Sequence, residues 1–369
     1  MKVPFLDLSR EHSEVEAETN SALARVIGSG VFILNREVET FEHEWARFCG
    51  VRAAAGTNSG TDALALALIA SGALRGGKRP EVITSPLAPG YTGLAIAGAG
   101  AVPVFADVNP RTYTLDPEAI EKAITAQTRA IVPVHIYGQM ADMGGICEIA
   151  ARHGLIVIED AAQAHGASLD GKRAGGHGHA AAFSFYPTKN LGAYGDGGAV
   201  TSNDARLIEE VKSLREGGHP SALNTNVIGR NSRLDEIQAA VLRAKLTHLE
   251  EWNLKRLKLA KMYCDELSSA GNDLILPCAG KPGSHVYHLF VVQHKKREAL
   301  RAHLAGRGIE TMIHYPFLLH QQPLFRRREQ RPLAVAESLV ERILSLPLYP
   351  QLKADELVAV SRAVCEFEE

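Results

Sequence analysis

Ser184-Phe185-Tyr186-Pro187-Thr188-Lys189 closes a short apolar run and opens a glycine-rich one that ends Gly195-Asp196-Gly197-Gly198. One strand earlier stands Glu159-Asp160. A lysine among aromatic and glycine residues, with an acid at a neighbouring strand end, is what pyridoxal phosphate (PLP) chemistry requires. The amine forms a Schiff base with the aldehyde, and a carboxylate pairs with the pyridinium nitrogen. Both groups follow apolar runs, and ligands of open α/β sheets bind beyond the carboxyl ends of such strands.

Residues 50–202 alternate short runs of Val, Ile, Ala and Phe with helical patterns, which indicates a parallel sheet covered on both faces. Seven strands are expected, at 52–56, 81–84, 102–106, 130–136, 155–159, 181–185 and 198–201. Residues 235–267 contain neither proline nor glycine and carry apolar residues at helical spacing, so one long helix or two joined ones are expected. Beyond them come a strand at 285–292, a helix at 295–305, a strand near 311–315 and helices near 333–343 and 354–367. The fold class is therefore α/β, with a large, mostly parallel seven-stranded sheet domain over 1–245 and a smaller C-terminal α/β domain over 246–369. Segment 1–20 is expected to pack on the smaller domain.

Composition narrows the functions. The chain has 369 residues, 46% of them hydrophobic, enough for a large buried core. A net charge of -2 gives no broad positive field, which argues against nucleic acid as a partner. Arg326-Arg327-Arg328, with Arg331, is a local basic cluster that reads first as a solvated loop or helix end. Five scattered cysteines form no CxxC pair, against a disulfide framework or zinc site and in favour of a reducing compartment. The N-terminus lacks the apolar core of a signal peptide, and no run is long enough to span a bilayer. A cytoplasmic location, away from membranes, is expected.

The remaining candidates surround Lys189. Asn58-Ser59-Gly60-Thr61-Asp62 opens an apolar helix whose N-terminus could bind a phosphate through Gly60 and Thr61, or be capped simply by Ser59 or Thr61. Ser184 is a second phosphate candidate. Asp160 would hold the ring nitrogen's proton and make the ring an electron sink, while Gln163 would pack against the ring or bond its phenolic oxygen. His165 would orient Asp160, touch substrate or fill a polar pocket. Lys189 would also move a proton between the substrate carbon and the cofactor. His177-Gly178-His179 lacks a third ligand, so no metal is expected.

These residues resemble the DegT/DnrJ/EryC1/StrS family of PLP-dependent, fold-type-I sugar aminotransferases. The likeness runs nearly the whole length. It extends through Pro4-Phe5-Leu6-Asp7-Leu8, Ser59 to Leu64, Pro103 to Val108, His135-Ile136-Tyr137-Gly138, Glu159 to Gly166, Ser184 to Gly198, Gly229 to Asp235, His314-Tyr315-Pro316 and Ser345-Leu346-Pro347. The resemblance implies a homodimer with shared active sites, in which Asn231 reaches the phosphate bound by the partner. It implies transfer of an amino group from L-glutamate to a keto group of a nucleotide-linked deoxysugar. By analogy with relatives, Ala88-Pro89-Gly90-Tyr91-Thr92 leans toward a 3-keto over a 4-keto acceptor. Tyr91 is the candidate for the aromatic residue that stacks on the ring, at a shifted position, and Asp196 stands where the family commonly has Glu. Arg230, Arg233 and the Arg326 cluster are candidates for the diphosphate; His314, Tyr315 and His320 lie in the segment that approaches the sugar. The alternatives are a deoxysugar dehydratase, which Lys189 opposes because that branch has histidine there, a cyclitol aminotransferase, and a non-catalytic regulator.

Overall fold

The computed structural model describes residues 2–76, 78–218, 228–268, 273–278, 280–326 and 331–367. Strands β1 (Ala53–Thr57), β2 (Glu81–Thr84), β3 (Val102–Phe105), β4 (Thr128–Val132) and β5 (Ile156–Asp160) are followed by a small hairpin, β6 (Ser168–Leu169) and β7 (Lys172–Arg173). Then come β8 (Ala180–Ser184) and β9 (Gly198–Ser202). Seven of these form one sheet in the order β1-β9-β8-β5-β4-β2-β3. Strand β9 runs antiparallel to both its neighbours, and the other pairings are parallel. All seven expected strands recur, because buried parallel strands are continuous apolar runs that stand out in sequence.

The expected strand 130–136 stops at Val132, since Pro133 has no N–H for the ladder. The chain stays beside β5 nonetheless: Asp160 N–H donates to Pro133 O at 2.9 Å and His135 N–H to Asp160 O at 3.0 Å. Ile136–Gly138 is a 3-10 turn with Tyr137 at φ 59°. Helix Gly60–Ala70 is apolar on every side because it lies between strands and outer helices, with Ala63 to Leu68 all buried. The opposite face of the sheet is filled by Phe41, Trp45, Phe183 and Phe185.

Strands β10 (Leu274–Ile275), β11 (Phe290–His294) and β12 (Ile343–Leu346) form a second, antiparallel sheet. The strand expected at 285–292 begins only at Phe290; residues 285–289 are irregular, with Tyr287 at φ 48°. Near 311–315 there is no strand but a single bridge, Met312 to Ser345. The ladder position goes to β12, because the helix expected at 333–343 spans Ala334–Val340 and ends sooner. The apolar stretch 235–267 resolves into two helices, Glu236–Leu246 and Leu249–Leu267. Val3 pairs with Ile309 and Arg10 binds Glu356, while helix Leu8–Ser29 sends Glu11 to Lys245 at 2.7 Å.

Candidate active site

Alternation along β5 sends Glu159 and Asp160 to opposite faces. Asp160, the last residue of β5, is 6% exposed and accepts from Thr92 Oγ1 at 2.7 Å and Ala162 N–H at 3.3 Å. Burial raises its carboxyl pKa above the ordinary value, against the lowering effect of Thr92, Ala162 and the Lys189 cation.

Lys189 lies in the turn after β8, its N–H donating to Tyr186 O at 2.9 Å. The residues that follow fasten this turn. Asn190 donates to Asn253 Oδ1 at 2.9 Å and accepts from His288 Nδ1 at 3.1 Å, and Lys245 Nζ donates to Gly192 O at 2.9 Å. Any side chain at Gly192 would strike Pro187, and one at Gly198 would strike Ser59, which is why this run is glycine-rich. Desolvation lowers the Lys189 pKa from the ordinary 10.5 to about 8, opposed by the charge of Asp160. The amine is thus partly neutral near physiological pH.

The imidazoles around Lys189 stay neutral. Burial, followed by the Lys189 charge, lowers His314 to about 4 and His288 well below its ordinary value. Gln163 bridges two tyrosines: its Oε1 accepts Tyr137 N–H at 2.6 Å and its Nε2 donates to Tyr315 Oη at 2.9 Å. Tyr137 Oη donates to His314 O, and Ser345 Oγ bonds His314 Nδ1 at 2.9 Å. Burial raises the Tyr315 hydroxyl pKa, and Asp160 raises it further.

Beside Asp160 the turn Ser59-Gly60-Thr61 meets the end of β8. A Cβ on Gly60 would lie 2.6 Å from Ser184 Cβ, so only glycine lets the helix start approach Ser184 this closely. Ser59 accepts Asp62 N–H at 3.2 Å and caps the helix, which answers the simpler reading of the motif. Capping uses one first-turn donor and leaves the positive end of the helix directed at the same opening.

The structure brings Gly60, Thr61, Asp160, Gln163, Ser184, Lys189, His314 and Tyr315 to the carboxyl ends of β1, β5 and β8 and the segment facing them. The surroundings of the other candidates differ. His165 is 0% exposed, packs among Trp45, Phe183 and Phe185, and donates Nε2–H to Ser184 O at 2.9 Å. Burial lowers it to about 3, so it is a neutral core histidine beneath Ser184 and not a substrate contact. Arg230 is tied to Asp62 and Gly98 O, both at 2.6 Å, and so braces the helix start. His320 is buried against Phe105 and donates to Glu337 at 3.2 Å. Tyr91 is 67% exposed, and its neighbour Thr92 makes the contact with Asp160. Asn231 is exposed beside Ser232, which bonds Asn58 at 2.9 Å. Arg327 and Arg328 lie outside the described residues. Thr92, Tyr137, Asn190 and His288 are the site residues that sequence reasoning missed.

A partly neutral lysine near a buried carboxylate, with a helix N-terminus at one side, is suited to an enzyme that forms and breaks carbon–nitrogen bonds. The chain belongs to the DegT/DnrJ/EryC1/StrS aminotransferase family, whose model matches residues 13–365. It is 45% identical over 370 residues to dTDP-3-amino-3,4,6-trideoxy-alpha-D-glucose transaminase of Streptomyces venezuelae, covering 100% of this chain and 97% of the relative. It is 43% identical over 370 residues to a pleiotropic regulatory protein of Geobacillus stearothermophilus, covering 100% and 99%. Among solved structures, S. venezuelae DesV in complex with a ketimine intermediate superposes with a TM-score of 0.95 at 45% identity, each chain covered fully. The fold is that of these PLP-dependent enzymes, and the chain is an aminotransferase. No helix among the described residues is long and apolar enough to cross a membrane.

Proposed function

We propose that this enzyme uses PLP to move an amino group from L-glutamate to a keto group of a nucleotide-linked deoxysugar, with a 3-keto acceptor. The observation that carries this reading is the pairing of Lys189, lowered to about 8, with buried Asp160 at adjoining strand ends. The donor set fits the cofactor: an amine for its aldehyde, a carboxylate for its ring nitrogen, and a glycine-opened cradle of Gly60, Thr61 and Ser184 for its phosphate. When bound, PLP supplies an electron sink that stabilises negative charge at the substrate carbon.

The chain's own groups do the rest. Lys189, as a neutral amine, would hold the cofactor's aldehyde carbon and would supply the base for proton transfer at the substrate carbon. Asp160 keeps a proton on the ring nitrogen by remaining ionised. Gln163 and Tyr315, bonded to each other, would line the cofactor's side of the site. The 3-keto acceptor is supported by the S. venezuelae relative, whose name places the amino group at carbon 3.

The reading also includes a homodimer in which exposed Asn231 completes the partner's phosphate site. It includes division of the chain near residue 245 into a large and a small domain, and a cytoplasmic setting, which the free state of Cys49, Cys147, Cys264, Cys278 and Cys365 supports. The test is the absorbance of the protein with PLP before and after L-glutamate, followed by 3-keto, 4-keto and cyclitol acceptors. Loss of the visible band with glutamate and turnover of the 3-keto nucleotide sugar are expected. Turnover of keto-inositols alone would sink the sugar assignment, and a glutamate-insensitive band would sink the donor.

A further inference from the structure

We infer that Thr92 is a positioning residue for amino transfer: its hydroxyl grips one oxygen of Asp160, keeping the carboxylate ionised and its other oxygen free for the cofactor ring. This rests on the functional reading above. Thr92 is 2% exposed, and its Oγ1 lies 2.7 Å from Asp160 Oδ2. Asp160 Oδ1 receives only the longer Ala162 N–H at 3.3 Å, so it is the less engaged of the two oxygens.

Three other groups face this carboxylate electrostatically: Lys189 from the turn after β8, His135 from the segment after β4, and Tyr315 from the segment opposite. Among the described residues, Thr92 alone gives it a short hydrogen bond from a side chain. Burial favours the neutral acid, and the Thr92 bond leads the causes that oppose it.

The position of Thr92 is itself fixed. It is the third residue of helix Gly90–Gly98, and at the next position a Cβ would meet Phe325 Cζ at 2.7 Å. Phe325 therefore presses directly on the helix backbone. Leu319 N–H donates to Pro86 O at 2.9 Å, tying the same stretch to the loop before the helix. The segment that carries His314 and Tyr315 thus also seats the helix that carries Thr92.

The experiment is titration of PLP into the full-length wild type, T92S, T92V and T92A across pH, reading the visible band for affinity. A hydrogen bond to a charged group implies that T92V and T92A weaken PLP binding by about tenfold or more. Without the donor the ionised carboxylate is less favoured, so the acid limb of binding moves up by about one pH unit. T92S, which keeps the donor, stays within about twofold of wild type by the same argument. T92V binding PLP like wild type at every pH would overturn the assignment, as would T92S failing as badly as T92V, because bulk and not the hydroxyl would then matter. Should T92V not fold, as judged by circular dichroism, T92A gives the same two answers. A wild type that shows no band defeats the functional reading, and this inference with it; a normal wild type with silent Thr92 variants defeats this inference alone.

Discussion

The two faces of the sheet at the end of β5 treat adjacent carboxylates in opposite ways. On one face Glu159, 0% exposed, accepts His135 Nε2–H at 3.0 Å and the N–H groups of Gly175, His177 and Gly178 at 2.8–2.9 Å. The tautomer is fixed, because His135 Nδ1 accepts Ala141 N–H at 3.1 Å. Burial alone would raise this pKa, yet His135 and the backbone donors bring it below the ordinary value. On the other face Asp160 has one hydroxyl and one long N–H, and its pKa is raised. A carboxylate given every donor it can use serves the fold. One left with spare acceptor capacity in an equally dry place is held for a ligand.

The largest effect that tests this contrast is on stability. Glu159→Ala strands the His135 donor and the three N–H groups, and breaking a buried pair of this kind costs about 3–5 kcal/mol. Urea unfolding of the apoprotein should show that loss, whereas Asp160→Ala should show little. A Glu159→Ala protein with unchanged midpoint would erase the distinction. The sign with pH follows from the depressed Glu159 pKa: its contribution is present above the ordinary carboxylate value of 4.5 and is lost as pH falls through the lower folded value.

Activity should divide the pair the other way. Asp160→Asn, which keeps the shape and removes the charge, should lower turnover by about 10²–10³-fold, the range seen when one preorganised electrostatic partner is removed. Glu159→Gln should leave turnover per folded molecule nearly intact. Steady-state rates normalised to folded protein decide the matter, and equal losses in both variants would mean that the two faces act as one unit.

Lys189 sharpens the same contrast from the cationic side. Because desolvation outweighs the attraction of Asp160, its pKa is about 8 and the neutral fraction rises about tenfold per pH unit below that. Capture of PLP by the apoprotein should therefore accelerate about tenfold per unit between pH 6 and 7 and level off near pH 8. Stopped-flow absorbance reads this directly. A plateau near pH 10 would mean that the amine is not desolvated. In Asp160→Asn the opposing charge is gone and the plateau should move to lower pH.

How much of this was visible in the chain follows from distance along it. The seven strands, Lys189 and Asp160 are local signals, each an apolar run with a reactive residue at its end. Thr92 was passed over for Tyr91 because its partner lies 68 positions away, and nothing local marks a threonine in an apolar helix as a donor to that partner. For His165 the sequence leaves two readings open, a site contact or a pocket filler, and Trp45 of helix Arg36–Cys49, distant in the chain, decides for the second by packing over it. Arg230 is a candidate for the diphosphate from sequence, and its pairing with Asp62, 168 positions away, has no local signal. The second sheet was the least legible part, since residues 333–343 carry no break between the end of the helix and the start of β12.

The smallest effect is the most discriminating. Burial raises the Asp160 pKa in the folded apoprotein, so its ionised form weakens the fold; stability falls as pH rises from the ordinary 3.8 through the folded value and stays reduced above it. Asp160→Asn removes that penalty. At pH 7 the apo variant should be more stable than wild type by about 0.5–1 kcal/mol, the low end of the gain common for a single stabilising substitution. The advantage should shrink as the pH is lowered through the folded value and close below the ordinary 3.8, where the Asp160 side chain is neutral in folded and unfolded chains alike. Saturating PLP should reverse the order, because a ligand's stabilisation grows with the logarithm of its affinity and the wild type is expected to bind it more tightly. Thermal melts of both proteins, with and without PLP, contain the whole argument. A variant less stable than wild type in the apo form would show that Asp160, like Glu159, belongs to the fold after all.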